Sequence, residues 1–174
     1  MSRNIEIKAK IQDLRAFLEK AGSISDKPVI VMHQIDTYFK IPSGRLKLRQ
    51  IKNQGTELIY YDRPDTEGPK LSNYRKQEFQ NFEEAEGLKQ VLEASLGLVG
   101  VVDKQRYLYI YGQTRIHVDD VNNLGHFMEL EVVLKEGETV EYGEKIAQDL
   151  MLKLGIQKGD LLSGSYINLL VNKS

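Results

Sequence analysis

Cysteine is absent from the chain, which excludes disulfides and thiolate metal sites and suits a reducing compartment. No apolar run approaches the ~20 residues that span a bilayer. The opening residues Met1-Ser-Arg-Asn-Ile-Glu6 lack the apolar segment of a secretory signal. The expected location is therefore the cytoplasm, with no membrane partner. The formal net charge is only −1, which argues against bulk attraction to a nucleic acid polymer. No Gly-x-x-x-x-Gly-Lys-Ser/Thr loop occurs, so a P-loop nucleotidase is not expected. His33, His117 and His126 lack zinc-ligand spacing and are read as structural or exposed. Asp119-Asp120 lacks the spacing of a calcium loop.

What is present is alternation. At 174 residues, 41% hydrophobic and 28% charged, the chain is expected to form a single domain over 1–174 with a sizeable core. In Asn4–Ile11 the residues Ile5, Ile7, Ala9 and Ile11 take one face of a strand, and Asn4, Glu6, Lys8 and Lys10 take the other. Arg45–Ile51 repeats the pattern with Arg45, Lys47 and Arg49 on one side. The stretch Arg115–Leu134 reads as a hairpin turning at Asn122-Asn123-Leu124-Gly125, residues that tolerate positive φ. On its first strand Arg115, His117 and Asp119 point one way, opposite Ile116 and Val118. On its second strand Glu129 and Glu131 oppose Met128, Leu130, Val132 and Leu134.

Further strands are expected over Ile30–Phe39, Glu57–Asp62, Ser72–Phe79 and Val101–Tyr111, the last carrying Lys104 and Arg106 on one face. Its Tyr107, Tyr109 and Tyr111 are read as packing under a helix. The connection Asp62–Lys70 reads as a mobile charged loop. Helical spacing covers Leu14–Ala21, stopped at Gly22. A second helix is capped by Asn81, with Phe82, Ala85, Leu88, Val91, Leu92 and Leu96 as its buried stripe. A third runs from Tyr142 to Leu154, and a short terminal one lies within Ser165–Val171.

About eight strands joined mostly by hairpins, with segregated helices, make an α+β fold built on antiparallel sheet. Strands with one apolar and one charged face are reconciled if the sheet closes into a barrel. The helices then cover the apolar outside and the charges line the lumen. Such a lumen must be wet or hold a polar ligand, because unpaired buried charge is costly.

Inward-compatible cations are Lys8, Lys10, Lys47, Arg49, Arg63, Lys70, Lys104, Arg106 and Arg115. The inward-compatible acids are fewer: Glu6, Asp119, Glu129 and Glu131. Guanidinium forks match phosphate oxygens, and clustered carboxylates suit a hard cation such as Mg²⁺ or Mn²⁺. A polyphosphate chelated to a divalent metal satisfies both sets. Lys10, Arg45 and Arg115 are nevertheless read as solvated.

Asn4-Ile-Glu-Ile-Lys8 resembles the Glu-x-Glu-x-Lys signature of the CYTH superfamily, which groups class IV adenylyl cyclases with thiamine triphosphatases. The likeness continues through Asp36-Thr-Tyr-Phe39, Leu46-Lys-Leu-Arg49, Gly68-Pro-Lys70, Lys104-Gln-Arg106, the Asp119–Glu131 hairpin and Ser165-Tyr166. The resemblance implies a closed eight-stranded tunnel taking a small-molecule triphosphate such as ATP, tripolyphosphate or thiamine triphosphate. It implies Glu6, Asp119, Glu129 and Glu131 at the Mg²⁺ or Mn²⁺ site. It also implies Lys8, Lys47, Arg49, Arg63, Lys70, Lys104 and Arg106 on the phosphates, with Lys8, Arg49 and Arg106 as the expected catalytic residues.

The chain departs from the signature at Asn4, a neutral residue where the first Glu is expected. The complete Glu129/Glu131 pair is similar to the triphosphatase side of the family. The Lys-Gln-Arg, Leu-Gly-His-Phe and Ser-Tyr segments are similar to the cyclase side. The expected activity is metal-dependent cyclisation of ATP or hydrolysis of a triphosphate. The alternative is a polyphosphate or nucleotide sensor without catalysis.

Overall fold

A computed structural model describes residues 2–173. Eight antiparallel strands close into a barrel in the order β1-β5-β4-β3-β2-β6-β7-β8, with β8 returning to β1. In chain order these are β1 (Ser2–Lys10), β2 (Ile30–Phe39), β3 (Arg45–Ile51), β4 (Gly55–Asp62), β5 (Lys70–Phe79), β6 (Leu98–Tyr111), β7 (Thr114–Val121) and β8 (Gly125–Val133). Among the described residues four α-helices lie outside: α1 (Leu14–Ile24), α2 (Phe82–Leu96), α3 (Val140–Leu154) and α4 (Tyr166–Lys173). Among the described residues, no helix is long and apolar enough to cross a membrane.

Each long helix starts where a side chain accepts an otherwise unpaired amide. Asp13 accepts from Ala16, Asn81 from Glu83 and Glu84, and Thr139 from Tyr142. The β7–β8 hairpin turns with Asn123 at φ 62° and Gly125 at φ 125°, the left-handed geometry expected from the Asn/Gly composition.

The barrel inverts the usual arrangement. Its main apolar core lies outside the wall, between the outer faces of β1, β7 and β8 and helices α1 and α3. Ile5, Ile7, Ile116, Val118, Met128, Leu130 and Val132 are fully buried there. Fully burying one such side chain contributes roughly 1.5–3 kcal/mol, so this layer clamps one half of the barrel firmly. Gly143 lets α3 approach: a Cβ at that position would stand 2.6 Å from Ile5 and 2.7 Å from Leu134. A second cluster, including Val102, Val121, Phe127, Tyr166 and Ile167, seats α4.

Local expectations are revised at several points. Helix α1 runs through Gly22 to Ile24, and Gly22 sits where the ring of Tyr109 packs. Tyr109 is buried, with Tyr107 and Tyr111 packed beside it. Helix α2 does not bury its apolar stripe: Ala85 is buried, but Phe82 is 65% and Val91 63% exposed. A straight helix meets the convex outer wall of a barrel along a short line, so the flanks of the stripe miss it. β5 starts at Lys70 and β6 at Leu98, both earlier than periodicity predicts.

Candidate active site

Strand alternation delivers the charged faces to one place. Lys8, Lys47, Arg49, Arg63, Lys104, Arg106, Glu6, Glu129 and Glu131 line a single cavity of about 280 Å³ inside the barrel, at the small end of the range for ligand sites. Register explains the juxtapositions. Lys8 stands opposite Glu129 and Glu6 opposite Glu131 across β1 and β8, His117 opposite Glu129 across β7 and β8, and Asp36 opposite Arg49 across β2 and β3.

Asp36 organises the basic wall. Arg49 Nε donates to Oδ1 and Arg49 Nη2 to Oδ2, both at 2.8 Å; Lys47 Nζ donates to Oδ2 at 3.2 Å and Lys104 Nζ at 3.4 Å. Burial alone would raise its carboxyl, but Arg49, Lys104 and Lys47 together hold it well below the ordinary range. Three cations on one carboxylate leave net positive charge in a buried wall. Burial, aided by the neighbouring Arg49, lowers Lys47 to about 8, and burial with Arg106 lowers Lys104 well below its usual value. Both ammonium groups therefore stand to gain from an added anion.

A second pair fixes Arg106. Its Nε and Nη2 donate to Asp119 Oδ1 and Oδ2 at 2.7 and 2.8 Å, and the Tyr166 hydroxyl donates to Asp119 Oδ2 at 2.7 Å. Two of the five guanidinium donors are thus used, leaving the others for a ligand in the cavity. Asp119 is fully buried and has both oxygens engaged. It stands behind Arg106 rather than on the cavity lining.

The acidic side is distinct. Lys8 Nζ lies 3.4 Å from Glu129 Oε2, and Arg115 Nη2 pairs with Glu131 Oε1. The other oxygens, Glu129 Oε1 and Glu131 Oε2, face His117 Nδ1 at 3.8 and 3.9 Å. Ligand atoms from these three residues lie within 4.8 Å of one another, a spacing able to hold a metal ion. Burial would raise the Glu129 carboxyl, but Lys8 and His117 hold it well below its usual value. Glu131 is held down by His117 and Arg115 against its burial. Both carboxylates are therefore ionised and suited to a cation.

Glu6 differs: burial and repulsion from Glu129 push its carboxyl up to about 7, although Arg63 Nη1 donates to it at 2.9 Å. Lys70, at the end of the 63–69 connection, is buried; its Nζ donates to Thr66 O at 2.7 Å and Leu162 O at 3.4 Å. Lys10 is exposed, and Arg45 pairs with Asp65 at 2.7 Å.

Sequence reasoning puts Arg115 and His117 on the Asp119 face of β7 and places Asp36 and Tyr166 within the resemblance, but it gives none of the four a role in the site. Asp36 shares the inward face of β2 with Gln34 and Tyr38, a signal masked because that strand carries no other charge on the face. Arg115 lines the cavity while its side chain stays 39% exposed, held there by Glu131 directly opposite it across the hairpin.

Residues 2–166, all eight strands of the barrel with helices α1, α2 and α3, match the CYTH domain. The chain belongs to the CYTH domain family. This CYTH protein is 27% identical over 177 residues to a candidate adenylate cyclase of Methanocaldococcus jannaschii, covering 95% of this chain and 97% of that one. A solved protein of Pyrococcus horikoshii superposes with a TM-score of 0.83 at 25% identity, covering 95% of this chain and 98% of that one. A Hippeastrum protein described as a candidate adenylyl cyclase with dominant triphosphatase activity shares the fold, with a TM-score of 0.66 at 14% identity over 99% and 96% of the two chains.

Proposed function

We propose that this CYTH protein is a divalent-metal-dependent enzyme acting on a triphosphate held in the barrel, either cyclising ATP to cyclic AMP and pyrophosphate or hydrolysing inorganic, thiamine or nucleoside triphosphate. The observation carrying the reading is the buried wall in which Lys47, Arg49 and Lys104 share Asp36, facing ionised Glu129 and Glu131 across one cavity. A cage with surplus positive charge beside two carboxylates that each pair with a cation through one oxygen and turn the other toward His117 is best satisfied by an anion and a cation together. The cytoplasmic location and the small-molecule partner are part of this reading.

Phosphoryl and nucleotidyl transfer depend mainly on positioning and charge stabilisation. Arg49 and Arg106, each braced by a bidentate carboxylate, hold phosphate oxygens without rearranging as charge develops. Lys8, Lys47, Lys104 and Arg63 line the same space and contribute further neutralisation, whereas Lys70, tied to Thr66 O and Leu162 O, stands off the lining and would have to release those carbonyls to reach a phosphate. Asp119 serves through Arg106, whose orientation it fixes. Glu129 and Glu131 would hold a divalent cation, which would supply Lewis-acid chemistry to the reaction when bound. Glu6 faces that pair from β1 as a further carboxylate beside the cation site. In hydrolysis, water attacks the terminal phosphorus as the bond to the bridging oxygen breaks. In cyclisation, the ribose 3′-oxygen attacks the α-phosphorus and pyrophosphate departs.

The test is a panel of ATP, tripolyphosphate and thiamine triphosphate with Mg²⁺ or Mn²⁺, reading cyclic AMP, pyrophosphate and phosphate together. Turnover abolished by Glu129→Ala and Glu131→Ala, with the fold retained by circular dichroism, is the expected result. A wild-type protein inert across the panel overturns the enzymatic reading. A second reading, a sensor without catalysis, is favoured by Asn4. This residue stands where a further acid would strengthen the metal site, and its Oδ1 is buried without a partner. Tight tripolyphosphate binding by calorimetry without product release would establish it.

A further inference from the structure

We propose that His117 is a metal ligand through Nδ1, so that the ion on Glu129 and Glu131 is bound by mixed nitrogen and oxygen donors and is a first-row transition ion such as Mn²⁺ in preference to Mg²⁺. This deepens the reading above and rests on a metal being bound there.

The imidazole is 95% buried, and its Nδ1 has no hydrogen-bond partner. A buried ring nitrogen without a partner is costly, so its retention here calls for a physical reason. The two carboxylates explain what it faces. Each gives one oxygen to a cation, Glu129 to Lys8 and Glu131 to Arg115, and turns the other toward His117. The separations of 3.8 and 3.9 Å are too long for hydrogen bonds. Metal–ligand distances of about 2.0–2.2 Å place neighbouring donors of one ion roughly 3–3.5 Å apart, so the three ligand atoms, all within 4.8 Å of one another, would draw together on a bound ion.

The flanking ion pairs also constrain the choice. Lys8 and Arg115 hold the outer carboxylate oxygens, which disfavours bidentate coordination and keeps the donor number low. Mg²⁺ demands six hard oxygen donors in near-ideal octahedral geometry and retains water tightly. An imidazole donor shifts preference along the Irving–Williams series toward Mn²⁺ and later ions. The alternation of β7 predetermines the arrangement: His117 faces inward because Ile116 and Val118 must reach the core outside the wall.

The experiment uses the full chain without substrate. Mn²⁺ is titrated against loss of the free-ion electron paramagnetic resonance signal, and pulsed resonance reads the hyperfine coupling of a directly bound nitrogen. Mg²⁺ competes in parallel. Expected are nitrogen coupling in the wild type, coupling retained in a His33→Ala/His126→Ala control, and coupling lost in His117→Ala. Mn²⁺ should bind at least about tenfold tighter than Mg²⁺, with His117→Ala narrowing the ratio. His117→Gln replaces His117→Ala if the cavity-forming variant fails to fold. No Mn²⁺ binding, binding without nitrogen coupling, or coupling that survives both His117 substitutions overturns the assignment. Turnover without nitrogen coupling removes this inference and leaves the proposed function standing. Nitrogen-coupled Mn²⁺ without turnover does the reverse.

Discussion

Replacing Asp36 with Asn should destabilise the ligand-free protein severely, and a polyphosphate should repair the damage. The side chain is fully buried and is the shared counter-charge of Arg49, Lys47 and Lys104. The amide is nearly isosteric, so packing is preserved while the charge is lost and donors are turned toward donors. Removing one partner of a buried ion pair costs about 3–5 kcal/mol. Three cations are stranded here, so the upper half of that range is expected, offset partly by deprotonation of Lys47, already lowered to about 8.

For a chain of this size each kcal/mol shifts Tm by about 2–4 °C, so a fall of roughly 10–20 °C is expected at neutral pH. The carboxyl is held well below the ordinary value of 3.8. Its contribution is therefore present above that value and lost as pH falls through the depressed folded pKa, so the variant and wild type should converge in strong acid. Thermal melts followed by circular dichroism, with and without tripolyphosphate, read both effects. The anion should raise the Tm of Asp36→Asn more than that of wild type, because it replaces the missing counter-charge. A loss under about 1 kcal/mol, or equal rescue of both proteins, would refute the account of the basic wall.

Three further outcomes follow from the geometry. Glu6 titrates near 7 in the fold against an ordinary 4.5. Its folded pKa is raised, so its stabilisation is complete below 4.5 and lost as pH climbs through about 7, amounting to about 3 kcal/mol. In chelator, the Tm advantage of Glu6→Gln over wild type should widen between those limits, and a pH-independent difference would contradict it. Tyr166→Phe takes the hydroxyl donor from buried Asp119 and should cost about 1–3 kcal/mol by denaturant melt; an unchanged midpoint would show that the bond contributes nothing. Gly143→Ala forces a methyl against Ile5 and Leu134 and should cost about 1–3 kcal/mol, read by the same melt.

Legibility tracked the period of the pattern. β1, β7 and β8 were readable because each pairs a clean apolar face with a clean charged one, and both faces are buried for different reasons. β2 was readable as a strand but not as a site element. Asp36 is a single charge whose three partners come from β3 and β6, and nothing local distinguishes it from a solvated aspartate. Helix α2 misled because its apolar repeat predicts a buried stripe, whereas the helix meets the wall mainly around Ala85.

By itself the sequence determined which side of each strand carries charge, and hence that a closed antiparallel barrel must enclose a polar lumen, because side-chain alternation is a local property of extended backbone. Which charges satisfy one another is set by the closed barrel. The closing order β1-β5-β4-β3-β2-β6-β7-β8 and the register across each pair give Asp119 to Arg106, leave three cations to Asp36, and turn Glu129 and Glu131 toward His117. Electrostatic pairing depends on distances of a few ångströms between residues far apart in the chain, and those distances are fixed when the barrel closes.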